Sequence, residues 1–145
     1  IHCDIKYPNI IIDKRNNFGM IDFDLTTTMN NNLHKLYSSP MNNDKQAPLP
    51  LRGTTDYASI DAHNRKHLTK RSDLQSLLYC VLDGYMGTLP WINNKNKYNI
   101  DQIKRIKQIL TNKNKIKKWI NNNEVPLIFY EIWEYIMNLN YLEKP

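Results

Sequence analysis

The chain has 145 residues, 41% of them hydrophobic and 23% charged, with a formal net charge of +6. That length supports one hydrophobic core, and the composition is that of an ordinary globular chain. No apolar run approaches the roughly 18 residues of a membrane span, so no membrane-spanning helix is expected within these residues.

Two cysteines, Cys3 and Cys80, lie far apart and offer neither a disulfide framework nor metal-type spacing. That usage predicts a reduced, intracellular and cytoplasmic protein. The chain starts without Met and stops at Glu143-Lys144-Pro145, so a piece of a longer protein is expected. An excess of basic residues suits an acidic partner. Here Asn, Lys and Ile recur together at 30–32, 93–99, 112–118 and 121–123, the bias an AT-rich genome writes into any protein. No aromatic residues interleave the basic ones as a stacking platform requires, so nucleic-acid binding is not expected.

Residues 1–25 read IHCDIKYPNIIIDKRNNFGMIDFDL. His2, Asp4, Lys6 and Asn9 precede an apolar run, Ile10 to Ile12, and a polar turn leads to a second run, Met20 to Phe23. Two brief apolar runs joined by an Asn-rich link predict a hairpin of short strands. Folded about Arg15 and Asn16, it sets Asn9 opposite Asp22, with Asp4 on the loop just before. Such an oxygen-rich cluster suits magnesium. A loop carboxylate beside it can accept a proton from an attacking hydroxyl, the arrangement that phosphoryl transfer needs.

From Thr26 to Arg52 the pattern lacks period and contains Pro40, Pro48 and Pro50, which predicts a long loop, functional or a disordered insertion. Gly53 to His63 is short, mixed and turn-like. Ser72 and Gln75 form a Ser-x-x-Gln capping box. Leu74, Leu77, Leu78, Val81, Leu82 and Tyr85 then follow at helical spacing and predict a buried central helix. Asp73 either complements the dipole of that helix or anchors the loop backbone around His2 and Cys3. Gly84 and Gly87 are expected to close the helix before a rigid Leu89-Pro90-Trp91 exit. A helix over 98–110 places Ile100, Ile103, Ile106, Ile109 and Leu110 on one face, with Lys104, Lys107 and Gln108 on the other. Pro126 opens a last helix running to about Leu139, with Phe129, Ile132, Trp133, Ile136 and Met137 on its core face. The expected architecture is mainly α, a helical bundle with one small β-hairpin at an edge.

HCDIKYPN resembles the protein-kinase catalytic loop, and IDFD resembles the strand ending in Asp-Phe-Gly. GTTDYASID resembles the end of the activation segment in the casein kinase I superfamily. SIDAHN and KRSDLQSLLYCVLDGYMGTLPW are similar to the vaccinia-related kinase branch, including its poxviral members, as is LNYLEKP at the C-terminus. The resemblance implies the helical C-terminal lobe of the protein-kinase fold over residues 1–145, without the N-terminal lobe. It implies an ATP-dependent Ser/Thr protein kinase that uses ATP and Mg2+, with protein substrates, no membrane association and, if the chain is viral, a place in the host cytoplasm. Asp4 would be the catalytic base, and Lys6 would neutralise charge on the transferring phosphate. Asn9 and Asp22 would hold magnesium, Thr54 would bond to Asp4 and Lys6, Ile11 would line the adenine pocket, and Asp73 would brace the loop.

Three departures qualify the resemblance. Cys3 replaces the Arg that reads a phosphorylated activation loop, so control by that phosphorylation is not expected. Asp24 replaces Gly, which removes backbone freedom and adds a carboxylate near Asp22. The Gly-rich loop, strand Lys and helix Glu of the nucleotide-covering lobe are absent from these residues, so the segment alone is expected to bind ATP poorly and not to turn over. Two other readings remain. One is a pseudokinase or scaffold that binds partner proteins. The other is a small-molecule phosphotransferase of the aminoglycoside-kinase type, which Asp24 fits and which Lys6 and the 53–63 block do not.

Overall fold

The computed structural model describes residues 1–28, 49–92, 98–140 and 145. Most of the long loop expected between Thr26 and Arg52 lies outside the described residues, as do most of the Asn-rich run at 93–99 and residues 141–144 of the C-terminal LNYLEKP.

The first loop closes in a one-turn 3-10 helix, Tyr7–Asn9, with Pro8 at its start, where a missing N–H is tolerated. Strands β1 (Ile10–Ile12) and β2 (Phe18–Met20) then pair antiparallel, Ile10 opposite Met20 and Ile12 opposite Phe18. The Asp13 carboxylate organises their turn by accepting the amides of Arg15 at 2.7 Å and Asn17 at 2.9 Å. Asn16 takes a left-handed φ of +62° there, a conformation Asn tolerates. This closure shifts the hairpin from its expected register. The second strand ends at Met20 instead of starting there, and Ile21 rather than Asp22 faces Asn9, its N–H meeting the Asn9 carbonyl at 3.0 Å.

The remaining regular structure is helical: α1 (Ile60–His63), α2 (Lys70–Met86), α3 (Ile100–Ile109), α4 (Lys113–Asn122) and α5 (Leu127–Asn138). Helix α2 packs on α5, α5 on α4, and α1 against both α2 and α3. Between them lies a core that includes Leu78, Leu82, Trp91, Ile103, Ile120 and Trp133. Each fully buried aliphatic side chain of this kind stabilises the fold by roughly 1.5–3 kcal/mol.

Helix α2 begins earlier than its sequence suggests. Thr69 is the N-cap, and Ser72 reaches back to accept the Thr69 N–H at 3.1 Å. Gln75 turns inward instead of capping, its Oε1 accepting the Ile60 N–H at 2.8 Å. The buried face rotates accordingly to Ser72, Gln75, Ser76, Tyr79, Cys80 and Leu82, joined by Leu78. Leu77, Val81 and Tyr85 of the expected core stripe are exposed. On this face Gln75 serves a backbone amide of α1, whereas Ser72 and Ser76 bond within α2 and its cap, Ser76 donating to the Ser72 carbonyl at 3.1 Å. Gly87 ends α2 at a left-handed φ of +76°. Gly84 lies inside the helix, and the Tyr7 phenol occupies the space a side chain would need, donating to the Cys80 carbonyl at 2.5 Å.

Helix α4 departs from expectation because it lies in an Asn- and Lys-rich stretch. Asn112 caps it by accepting the amides of Asn114 at 3.1 Å and Lys115 at 3.2 Å, while Ile116 and Ile120 are buried. Asn99 caps α3 in the same way, in a reciprocal pair with Gln102 at 2.9 Å. Compositional bias therefore supplies functional caps. Helix α5 follows Pro126 as expected and buries Phe129, Trp133 and Ile136, while Ile132, like Ile100 and Ile109 of α3, is exposed. Among the described residues, no helix is long and apolar enough to cross a membrane.

His63 is buried in α1, with Nε2 3.2 Å from the Thr55 carbonyl and 3.2 Å from Lys107 Nζ. Burial first, and then the Lys107 charge, pull its pKa from 6.5 to about 4. Between those values the unfolded chain binds more protons than the folded one, so stability present above pH 6.5 is lost as pH falls towards 4. Denaturant midpoints are expected to drop across that window, and His63→Gln should remove part of the slope. An identical slope in the variant would show that the ring is not held neutral.

Candidate active site

The site is built outward from Asp73, in the first turn of α2. Its carboxylate accepts two successive backbone amides, His2 N–H on Oδ2 at 2.6 Å and Cys3 N–H on Oδ1 at 2.9 Å. The acid also faces the positive end of the helix, but the two amide bonds fix the loop. Cys3 takes a left-handed φ of +70°, a conformation that costs a non-glycine residue on the order of 1–3 kcal/mol unless its surroundings hold it. His2 completes the frame. Its Nδ1 accepts the Asp4 N–H at 3.3 Å, which leaves Nε2 to donate to the Ile21 carbonyl at 3.1 Å and ties the loop to the hairpin.

Asp4 is buried and fully engaged. Oδ1 accepts the Thr54 N–H at 2.7 Å and the Thr54 hydroxyl at 2.9 Å, and Oδ2 accepts Lys6 Nζ at 2.6 Å. Asn9 donates through Nδ2 to the Asp4 carbonyl at 3.0 Å and, more loosely, to Oδ2 at 3.5 Å. Burial alone would raise the Asp4 pKa. The Lys6 ammonium and the two Thr54 donors outweigh it and hold the carboxyl below its ordinary range, so it is ionised at neutral pH and able to accept a proton. Among the described residues no hydrogen bond joins Thr54 to Lys6, whose ammonium goes to the carboxylate. Thr54 comes this close because residue 53 is glycine: at φ +87°, a Cβ would stand 2.6 Å from the Cys3 carbonyl oxygen.

Asp4, Lys6, Asn9 and Thr54 are thus joined by hydrogen bonds. Asp22 and Ile11 are not bonded to them. Asp22 stands one residue past the Ile21–Asn9 bond, exposed and at a left-handed φ of +65°, because the hairpin register is one residue shorter than expected. Ile11 lies mid-strand in β1 and is 48% exposed. Among the described residues, no group of three or more His, Cys, Asp or Glu side chains could hold a metal. Among the described residues the amide oxygen of Asn9 has no hydrogen-bond donor, and Asp22 is exposed. Amide and carboxylate oxygens are donor types that magnesium takes when waters and phosphate oxygens complete its shell.

A sequence model of the protein kinase domain matches residues 1–141. The chain belongs to the protein kinase family. Its helices and edge hairpin form the helical C-terminal lobe of the kinase fold. The fowlpox virus protein named "Probable serine/threonine-protein kinase FPV226" is 35% identical over 99% of the chain and 47% of its own length. The B1 kinase of vaccinia virus (strain Western Reserve) is 28% identical over 99% of the chain and 47% of its own length. A monkeypox virus protein named "Pseudokinase OPG198" is 27% identical over 99% of the chain and 48% of its own length. The chain therefore spans about half the length of these relatives, which include proteins named as kinases and one named as a pseudokinase.

Sequence reasoning missed the groups that hold the kinase segment carrying Thr54. Tyr57 Oη donates to Asp83 Oδ2 at 2.6 Å, and Trp91 Nε1 donates to the Asp56 carbonyl at 2.8 Å. Lys107, assigned from sequence to the polar face of its helix, is buried at 1% exposure beneath the same segment. Its position offered a signal, since it shares a helix face with Ile103 and Leu110, four residues before and three after. Burial pushes its pKa down to about 7, with the Asp56 charge opposing.

Gly53→Ala is expected to lower stability by about 1–3 kcal/mol, from strain at the left-handed backbone, and to pull Thr54 off Asp4. Denaturant titration would read the first effect, and an upward shift of the Asp4 carboxyl in an NMR titration the second. An unmoved Asp4 titration would show that the close approach at Gly53 is not what seats Thr54.

Proposed function

We propose that the chain is the C-terminal lobe of an ATP-dependent serine/threonine protein kinase of the casein kinase I superfamily, on its vaccinia-related kinase branch. The observation that carries this reading is the Asp4 carboxylate, ionised, with one oxygen held by Thr54 and the other by Lys6. A substrate Ser or Thr hydroxyl would give its proton to Asp4 as its oxygen attacks the terminal phosphorus of ATP and the bond to the departing ADP breaks. Thr54 orients the carboxylate, and Lys6 offsets negative charge on the phosphoryl oxygens. Asn9 and Asp22 would hold magnesium, which when bound screens the phosphate charge. Ile11 would face the adenine from the exposed surface of the hairpin. The nucleotide-covering lobe would be supplied by residues encoded upstream of Ile1, and the protein would work in the cytoplasm on protein substrates.

A pseudokinase or scaffold is the second reading. Asp24 in place of Gly and the likeness to a protein named as a pseudokinase favour it.

In the protein expressed with whatever its gene encodes upstream of Ile1, transfer of labelled phosphate from Mg-ATP to casein or histone is expected. Asp4→Asn should reduce it by about 10²–10⁴-fold, the usual contribution of a general base. Equal transfer by this variant and the wild type would remove Asp4 from the chemistry. Adding ATP and magnesium should raise the melting temperature of the same protein. A melting temperature that stays put would favour the scaffold.

A further inference from the structure

Lys107 is among the largest fully buried side chains in the structure. Its ammonium donates to three main-chain carbonyls, Thr55 at 3.0 Å, Asp56 at 2.8 Å and Ala58 at 2.7 Å. Three carbonyl acceptors favour the charged form against the effect of burial, and the three N–H groups of that ammonium are all accounted for by them. His63 Nε2, 3.2 Å from both Nζ and the Thr55 carbonyl, then serves as a further donor to Thr55. The faces of Tyr79 and Trp91 lie 4.8 Å and 4.9 Å from Nζ, where ring quadrupoles favour a cation.

The three carbonyls belong to the turn that begins at Thr54. The Thr54 carbonyl accepts Tyr57 N–H at 3.0 Å and Ala58 N–H at 2.7 Å. The turn is therefore closed by its own amides on one side and by Lys107 on the other. An apolar residue at 107 would leave the Thr55 and Asp56 carbonyls one donor each, from His63 and Trp91. It would strip the buried Ala58 carbonyl of its donor, so the turn would have to open there to find water. Opening it moves Thr54, which has two bonds to Asp4 Oδ1.

We propose that Lys107 is a positioning residue for phosphoryl transfer: by binding the carbonyls of Thr55, Asp56 and Ala58 it sets the turn that seats Thr54 on the base, Asp4. The assignment rests on the reading of Asp4 as the base. Lys107 touches neither Asp4 nor any group placed against substrate, and it acts through Thr54 alone.

The test uses the protein with its upstream residues and compares Lys107→Met, Lys107→Gln, Thr54→Val and the Lys107→Met/Thr54→Val double variant. Lys107→Met is expected to lower kcat at least tenfold while leaving KM for ATP within twofold. In the Thr54→Val background the same change should bring little further loss, since both act on one contact. Hydrogen exchange at the Tyr57 and Ala58 amides should speed up at least tenfold, with α5 amides unchanged. Lys107→Gln, which keeps two donors on a shorter arm, should fall between, and it carries the test if the Met variant does not fold. Full activity with protected Tyr57 and Ala58 amides would overturn the proposal. So would a loss that multiplies with Thr54→Val, or exchange that quickens equally in α5, because either marks general destabilisation. A wild type that transfers no phosphate would sink the reading of Asp4 as base. The exchange data and the Asp4 carboxyl titration in Lys107→Met would then decide the role of Lys107 alone.

Discussion

Two neighbouring amides, those of His2 and Cys3, end on the one carboxylate of Asp73, and the rest of the site depends on that bond pair. It brings a loop far away in sequence onto the first turn of the central helix, and it does so through the main chain. Cys3 can remain in a left-handed conformation because its N–H has a charged partner there. Asp4 follows directly, so its side chain is aimed by the backbone before any neighbour touches it. His2 carries the same order to the hairpin by linking the Asp4 amide to the Ile21 carbonyl.

The carboxylate of Asp4 is then approached from two directions. Lys6 and Asn9 come from its own loop, and Thr54 comes from a segment fifty residues on. The second approach demands more of the fold. It needs a glycine where main chains nearly touch, and it needs donors beneath a turn whose carbonyls face inward. A buried lysine, a tryptophan N–H and a tyrosine–aspartate bond supply that support. Polar groups inside this protein therefore cluster where loop backbone is buried, while the apolar core lies among the C-terminal helices.

That division explains where sequence reading succeeded and where it failed. Asp73 was legible because an acid at a helix start has few reasons to exist beyond the dipole or an anchor. The helix after Pro126 was legible because its aromatic spacing is strong and its start is marked. Helix α4 was hidden because Lys and Asn dominate it, and only Ile116, Trp119 and Ile120 mark its inner face. The α2 stripe misled because apolar periodicity assumes an apolar partner. Its inner face also meets the start of α1, where Gln75 accepts the Ile60 N–H, so Gln75 is buried and Val81 is not. The hairpin slipped by one residue because the Asp13 turn closes on Asn17, a choice made by one side chain's hydrogen bonds.

The sequence by itself determined a mainly helical chain, a short hairpin behind a polar loop, and the residue types Asp4, Lys6 and Asn9 gathered on that loop, while Thr54 entered only through the resemblance to protein kinases. Local spacing and side-chain chemistry carry that much, because they act within a turn or two of helix or strand. Only the tertiary structure decided that Asp22 stands outside the bonded cluster, that Gly53 lets two main chains touch, and that Lys107 is buried. Those outcomes turn on which backbone groups are removed from water together, and no single segment contains both partners.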